Sequence, residues 1–166
     1  MIKSIYQTIF FVLALFTLGC SSQPERVVNT KSGWPEVYIT TNDKSEIVKH
    51  VIARNVKNGW VLDEESENTI SFEYIDTSGS FDSIMYQSLL GNAYSTAPKY
   101  ETKYTIANST KGNGEYFVVV NTSVSVQMAG GKVNRVYLKE NNTLFNAIQK
   151  QLNSIKSDVE VEPSKT

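Results

Sequence analysis

The sequence is poor in the residues that most often carry chemistry. Its 166 residues include one cysteine and one histidine. A lone thiol cannot close an internal disulfide, so in an exported chain it needs another use. A lone imidazole, His50, leaves little for acid–base or metal chemistry of the usual kind. Charge is balanced, with 16 basic and 17 acidic side chains and a net −1. No basic stripe is present, which makes nucleic acid a poor candidate partner. The longest apolar run, residues 5–18, falls short of the roughly 20 residues that cross a bilayer. There is no internal repeat, no G-x-S-x-G, S-x-x-K or H-E-x-x-H, and no phosphate-cradling glycine loop. "GNG" and "AGG" are short and sit where hairpin turns explain them.

What is present begins at the N-terminus. Met1 to Ser4 with Lys3 form a short positive segment, and Ile5 to Leu18 follow as an apolar run ending "LALFTLGCSS". This is the layout of a secretory signal, with the small residue Gly19 before the cleavage point. Cys20 in the next position makes the segment resemble a bacterial lipoprotein signal, with Thr17 and Leu18 standing where that family usually has Leu and a small residue. The resemblance implies cleavage between Gly19 and Cys20 and covalent lipid on Cys20, the one group expected in place of a cofactor. Several acyl chains anchor stably where one does not. It also implies the outer membrane of a two-membrane cell, because Ser21 follows the cysteine where Asp is the usual inner-membrane retention signal. Loss of Lys3 with the leader takes the net charge from −1 to −2.

Four regions are therefore expected: a signal over residues 1–19, a flexible tether over 20–33, one domain over 34–156 and a disordered tail over 157–166. Within the domain, "PEVYIT" reads as a first strand. Asp43 and Glu46 resemble a capping box, and Ile47, Val48, Val51, Ile52 and Val56 recur at helical spacing up to the stop signal Asn58-Gly59. "WVLDEE" and "TISFEYID" read as strands about the acidic turn "ESEN", with Ile70, Phe72 and Tyr74 on one face. A short helix is expected from a Ser80 cap to Gly91, with Phe81, Ile84, Met85, Ser88 and Leu89 along one face as a third core helix. "KYETKYTIAN" and "EYFVVVNTSVSVQM" are strands; in the second, Val118 to Met128 alternate with Asn121, Ser123, Ser125 and Gln127. "KVNRVYL" is either an edge strand or a lead into the last helix, whose stripe is Leu144, Phe145, Ile148, Leu152 and Ile155.

The fold class expected is α+β: an antiparallel sheet of about four to six strands, two amphipathic helices on one face and a short helix inserted mid-sheet. The polar alternate positions predict that the other face meets water. This order resembles the helix-grip domains of the outer-membrane lipoprotein BamC. "WPEVYIT", the helix ending "NGW" and the Tyr-rich middle resemble small lipoproteins of bacterial and prophage genomes, a likeness that names no activity.

Candidate chemistry is sparse. His50 falls on the flank of its helix, away from Ile47 and Val51, and reads as solvated. Asp63, Glu64, Glu65 and Glu67 lack the alternating ligands and turn glycine of a calcium loop and read as a hairpin tip. No catalytic residue, metal site or cofactor is expected. Two carboxylates converging in one pocket would reopen the case for a hydrolase. The expected role is a non-enzymatic binding or scaffolding module facing the periplasm, with an envelope protein as partner; the alternative is a surface-exposed prophage lipoprotein that masks a receptor. The aromatic-rich middle is the candidate contact, through Tyr86, Leu90 and Tyr94 off the main stripe.

Overall fold

A computed structural model describes residues 30–112, 114–139 and 143–161. Gly19, Cys20 and the expected signal lie outside these residues, as does most of the expected tether. The element order is β1 (Glu36–Thr40), α1 (Lys44–Lys57), β2 (Val61–Glu65), β3 (Thr69–Ile75), α2 (Phe81–Leu90), β4 (Lys99–Asn108), β5 (Glu115–Gln127), β6 (Val133–Tyr137) and α3 (Thr143–Val161). The six strands form one antiparallel sheet in the order β1-β5-β4-β3-β2, with β6 also on β5. The expected α+β class is therefore what the chain adopts, and "KVNRVYL" does hold an edge strand.

The long strand β5 organises the sheet. Its first half, Glu115–Val119, pairs with β1, and its last half, Ser123–Gln127, pairs with β6. Two short strands thus share one edge of it, while β4 runs along the other for ten registered pairs. Inward positions Val118, Val120, Val124 and Val126 are buried, together with Tyr104 and Ile106 of β4 and Ile70 and Phe72 of β3. Helices α1 and α3 cover this face through Ile47 and Val51 and through Ile148, Leu152 and Ile155. Each brings one apolar stripe, so the two share the sheet as a roof.

Local chemistry sets the helix ends. Asp43 caps α1 by accepting from the Ser45 N–H at 2.8 Å. The reciprocal half of a capping box is missing, because the Glu46 carboxylate is engaged by Lys49 at 2.6 Å instead. At the other end Gly59 takes a φ of 85°, open to glycine, while Trp60 N–H bonds the Asn55 carbonyl and Gly59 N–H that of Val56. This Schellman pattern turns the chain sharply and aims Trp60. Val56, expected on the core stripe, is exposed; Asn55 occupies the inward place and its amide donates to the buried Tyr104 hydroxyl at 3.1 Å.

The face away from the helices departs from expectation. Ser123 and Ser125 are buried there, although their residue type suggested contact with water. Their neighbours in register are Glu101 and Tyr137, and Lys99 and Arg135. These long side chains join in a network, Lys99 to Glu73 at 2.5 Å and Arg135 to Glu101 at 2.7 Å, that roofs the serines. The last helix also outruns the expected domain end. Residues 157–161 continue α3, because Val159 extends the stripe from Ile155 into the core and Asp158 pairs with Arg54.

Candidate functional site

Helix α2 is laid against the sheet with its more polar face down. Ser83 is its only buried residue, and the Ser83 hydroxyl donates to the Asp76 carbonyl at 3.2 Å. Gln87 Nε2 donates to the Ser95 carbonyl, and the Tyr86 ring meets Tyr100 edge-on with centroids 6.1 Å apart. Asn134 of β6 donates to the Leu90 carbonyl at 2.5 Å. Gly91 then seats the helix end on the sheet: an added Cβ would lie 2.8 Å from Val126 Cγ1 and 2.4 Å from Ser95 Oγ. The stripe expected to enter the core therefore points outward. Phe81 is 80% exposed and Leu89 71%, with Ile84 and Met85 exposed beside them. The hydrogen bonds beneath the helix select this orientation, since they would be lost if it rolled over.

Of the three contact residues read from the sequence, the structure places Tyr86 and Leu90 half-buried on the inner side of α2. Tyr94 alone is free, at 84% exposure. The exposed apolar ridge is Phe81, Ile84, Met85 and Leu89, with Tyr94 at its end.

Beside this ridge, between α2 and the ends of α1 and α3, lies a cavity of about 480 Å³. The α1 terminus contributes Asn58 and Trp60, β3 gives Tyr74 with Asp76 just beyond it, and β4 gives Tyr100. From the other side come Asp82, Met85 and Tyr86 of α2, then Leu138 and Thr143, Leu144 and Ala147. The rings are contiguous: Trp60 to Tyr74 is 5.9 Å and Tyr74 to Tyr100 is 6.3 Å between centroids. Volume and lining are those of a small-molecule site. Burial first, then the negative charge of Asp76, pushes the Tyr100 phenol up to about 12.

Two carboxylates, Asp76 and Asp82, border this cavity, which raises the question of a hydrolase. Asp76 is, however, already committed. Its Oδ1 accepts from the Ser78 N–H at 2.9 Å and hydroxyl at 2.5 Å, and its Oδ2 accepts from the Ser80 hydroxyl at 3.1 Å. The Ser78 donors hold its carboxyl below the usual carboxylate range. A catalytic acid needs the opposite shift. Asp76 instead ties the loop ahead of α2 to the end of β3. Replacing it with Asn removes charge-assisted bonds and should cost about 1–2 kcal/mol at pH 7. Because the folded-state value is depressed, this stability is present above the unfolded value near 3.8 and fades as pH falls through the folded one. Urea midpoints of wild type and Asp76→Asn should therefore stay apart above about pH 4 and converge as pH falls below it through the depressed folded value. A gap that stays constant would remove the charge from the explanation.

The remaining sequence candidates do not gather. His50 Nδ1 is half-buried and lies 3.9 Å from Asp158 Oδ2, so it faces α3 rather than open solvent. Asp63, Glu64 and Glu65 lie along the exposed edge strand β2, and only Glu67 is at the hairpin tip. Among the described residues no three His, Cys, Asp or Glu side chains converge as metal ligands would. No helix of the described residues is long and apolar enough to cross a membrane. The comparisons with known proteins return nothing: no family model, curated protein or solved structure matches this chain.

Proposed function

We propose that this chain is a bacterial lipoprotein, anchored by acyl chains on Cys20 to the outer membrane, that holds a non-enzymatic binding domain in the periplasm. Its partner is an envelope protein that receives the α2 ridge in an apolar groove. The anchor is supported by the order of residues around Gly19 and Cys20. Docking rests on one observation: α2 turns Phe81, Ile84, Met85 and Leu89 away from its own core. A convex apolar helix face is what helix-in-groove recognition uses. A lipid surface is the poorer fit, because helices lying on membranes carry Lys or Arg beside the apolar face and "FDSIMYQSLL" has none.

A photo-crosslinking residue at Leu89, in cells that make the full-length protein, tests this. One discrete protein adduct is expected, reduced at least about tenfold by Phe81→Asp, since a charge in an apolar groove costs several kcal/mol. Cys20→Ser should release the chain from the lipid anchor and retain the signal. Adducts to lipid alone, or adducts indifferent to Phe81→Asp, would overturn the docking; normal processing of Cys20→Ser would overturn the anchor.

A further inference from the structure

The cavity beside α2 has a chemical bias that the ridge does not explain. Trp60, Tyr74, Tyr100 and Tyr86 form an unbroken run of rings along its wall, each within 6.3 Å of the next. Asp76 and Asp82 border the same space, and no Lys, Arg or His lines it. Among the described residues neither carboxylate has an ion-pair partner. Several carboxylates elsewhere are ion-paired, Glu73 and Glu101 with Lys99, Asp158 with Arg54 and Glu160 with Lys156, and those along the exposed strand β2 meet water. Asp76 and Asp82 instead share an aromatic-lined space that no cationic side chain enters.

Aromatic faces carry the negative end of a quadrupole, and uncompensated carboxylates add to the same sign of potential. An anion would meet two carboxylates and no cationic side chain here, with only neutral indole, phenol, amide and hydroxyl donors to set against them. A neutral apolar ligand would use the rings and leave the carboxylates unanswered. An alkylated ammonium answers both, with methyl groups against the rings and charge facing Asp82 at the α2 end.

We infer that this cavity binds a small organic cation of the quaternary or alkylated ammonium class, held by the Trp60–Tyr74–Tyr100–Tyr86 wall. The site goes beyond the docking reading and would stand if the α2 ridge engaged nothing. Asp76, tied to Ser78 and Ser80, supplies charge at a fixed place; Asp82, exposed and with no bonded partner among the described residues, supplies the adjustable contact.

Two tryptophans make the test internally controlled. Trp60 lines the cavity, whereas Trp34 packs edge-on against Tyr137 with Lys139 over its ring. The full-length protein, in a non-ionic glucoside detergent that contains no ammonium group, is titrated with choline and separately with 3,3-dimethylbutan-1-ol, the uncharged carbon analogue. The indole N–H resonances are followed by NMR. The Trp60 signal should move with choline while that of Trp34 stays, and choline should bind about tenfold more tightly than the alcohol. Tyr100→Leu should weaken choline about fivefold and Tyr100→Phe should restore it, because the ring and not the hydroxyl is used. Asp82→Asn, at an exposed position that leaves the fold intact, should weaken choline about threefold and leave the alcohol unchanged. Equal affinity for choline and the alcohol would reduce the cavity to an apolar pocket and overturn the inference. So would shifts at both indoles, or at neither.

Discussion

Phe72→Ala should lower the folding stability by about 3–5 kcal/mol, the range measured when a large side chain is removed from a close-packed interior. Phe72 is fully buried at the middle of β3 and meets the Tyr104 ring edge-on, centroids 5.8 Å apart and planes at 87°. Its neighbours cannot easily move into the space. Leu62 and Thr102 flank it in register on the two adjacent strands, and the α1–α3 roof lies above it. A site enclosed on every side relaxes little, which places the cost high in the range. Small domains hold about 5–15 kcal/mol in total, so this variant approaches the unfolding threshold. The urea midpoint should drop with an unchanged slope, whereas Leu62→Ala, half-exposed on the edge strand, should cost under about 1 kcal/mol. A loss below about 1 kcal/mol for Phe72 would show that this core is not packed as described. The effect also reaches the cavity, because Tyr74 stands two residues along the same strand and takes its position from it.

The residues explain which parts of this architecture were legible beforehand. Ile47 and Val51, then Phe145, Ile148, Leu152 and Ile155, repeat at helical spacing, and those stripes do face the sheet. The alternation from Val118 to Val126 placed β5 correctly for the same reason: one face of each element had a single apolar option. α2 broke the rule. Its stripe is as regular as the others, yet Ser83, Gln87 and the carbonyl of Leu90 find hydrogen-bond partners below it, and these outweigh the apolar pattern over ten residues. Periodicity alone cannot see such partners, which lie in Asp76, Ser95 and Asn134. The cavity was hidden for a related reason. Trp60 comes from the turn after α1 and Tyr74, Tyr86 and Tyr100 from three different elements, and no spacing in the chain joins them. The clue available was "NGW", where a glycine stop followed at once by Trp fixes an aromatic side chain at a sharp turn. Alternation puts Tyr74 last in the row Ile70, Phe72, Tyr74, and Tyr100 stands beside it on β4. Both sit where the helical roof has ended, and the sheet pairs them with each other.

The end of α3 gives the other large expected effect. A chain stopped after Lys156 should be less stable by about 3 kcal/mol, although charge and spacing suggested that nothing beyond that residue is ordered. The free edge of β1 explains why the helix goes on. The Glu36 N–H donates to Gln149 Oε1 at 2.9 Å and its carbonyl accepts from Gln149 Nε2 at 3.0 Å. The Tyr38 carbonyl accepts from Lys156 Nζ at 2.6 Å, and the Thr40 N–H donates to Glu160 Oε1 at 2.9 Å. Alternate residues of an edge strand present their backbone groups on one side, and α3 supplies a side chain for each as it passes. Stopping at Lys156 removes the solvent-exposed bond from the Thr40 N–H to Glu160, worth under about 1 kcal/mol. It also removes Val159, buried in the main core, for about 1.5–3 kcal/mol more. The Arg54–Asp158 pair, with both side chains about a third or more exposed, adds little after solvent screening. Val159→Ala in the full-length chain separates the two contributions, since it should reproduce only the packing part of the loss. Equal urea midpoints for the shortened and full-length chains would mean that the last turn holds neither the edge nor the core. With the expected loss, the end of β1 is left open to strand pairing with a neighbouring molecule, and the shortened protein should aggregate faster than the full-length one.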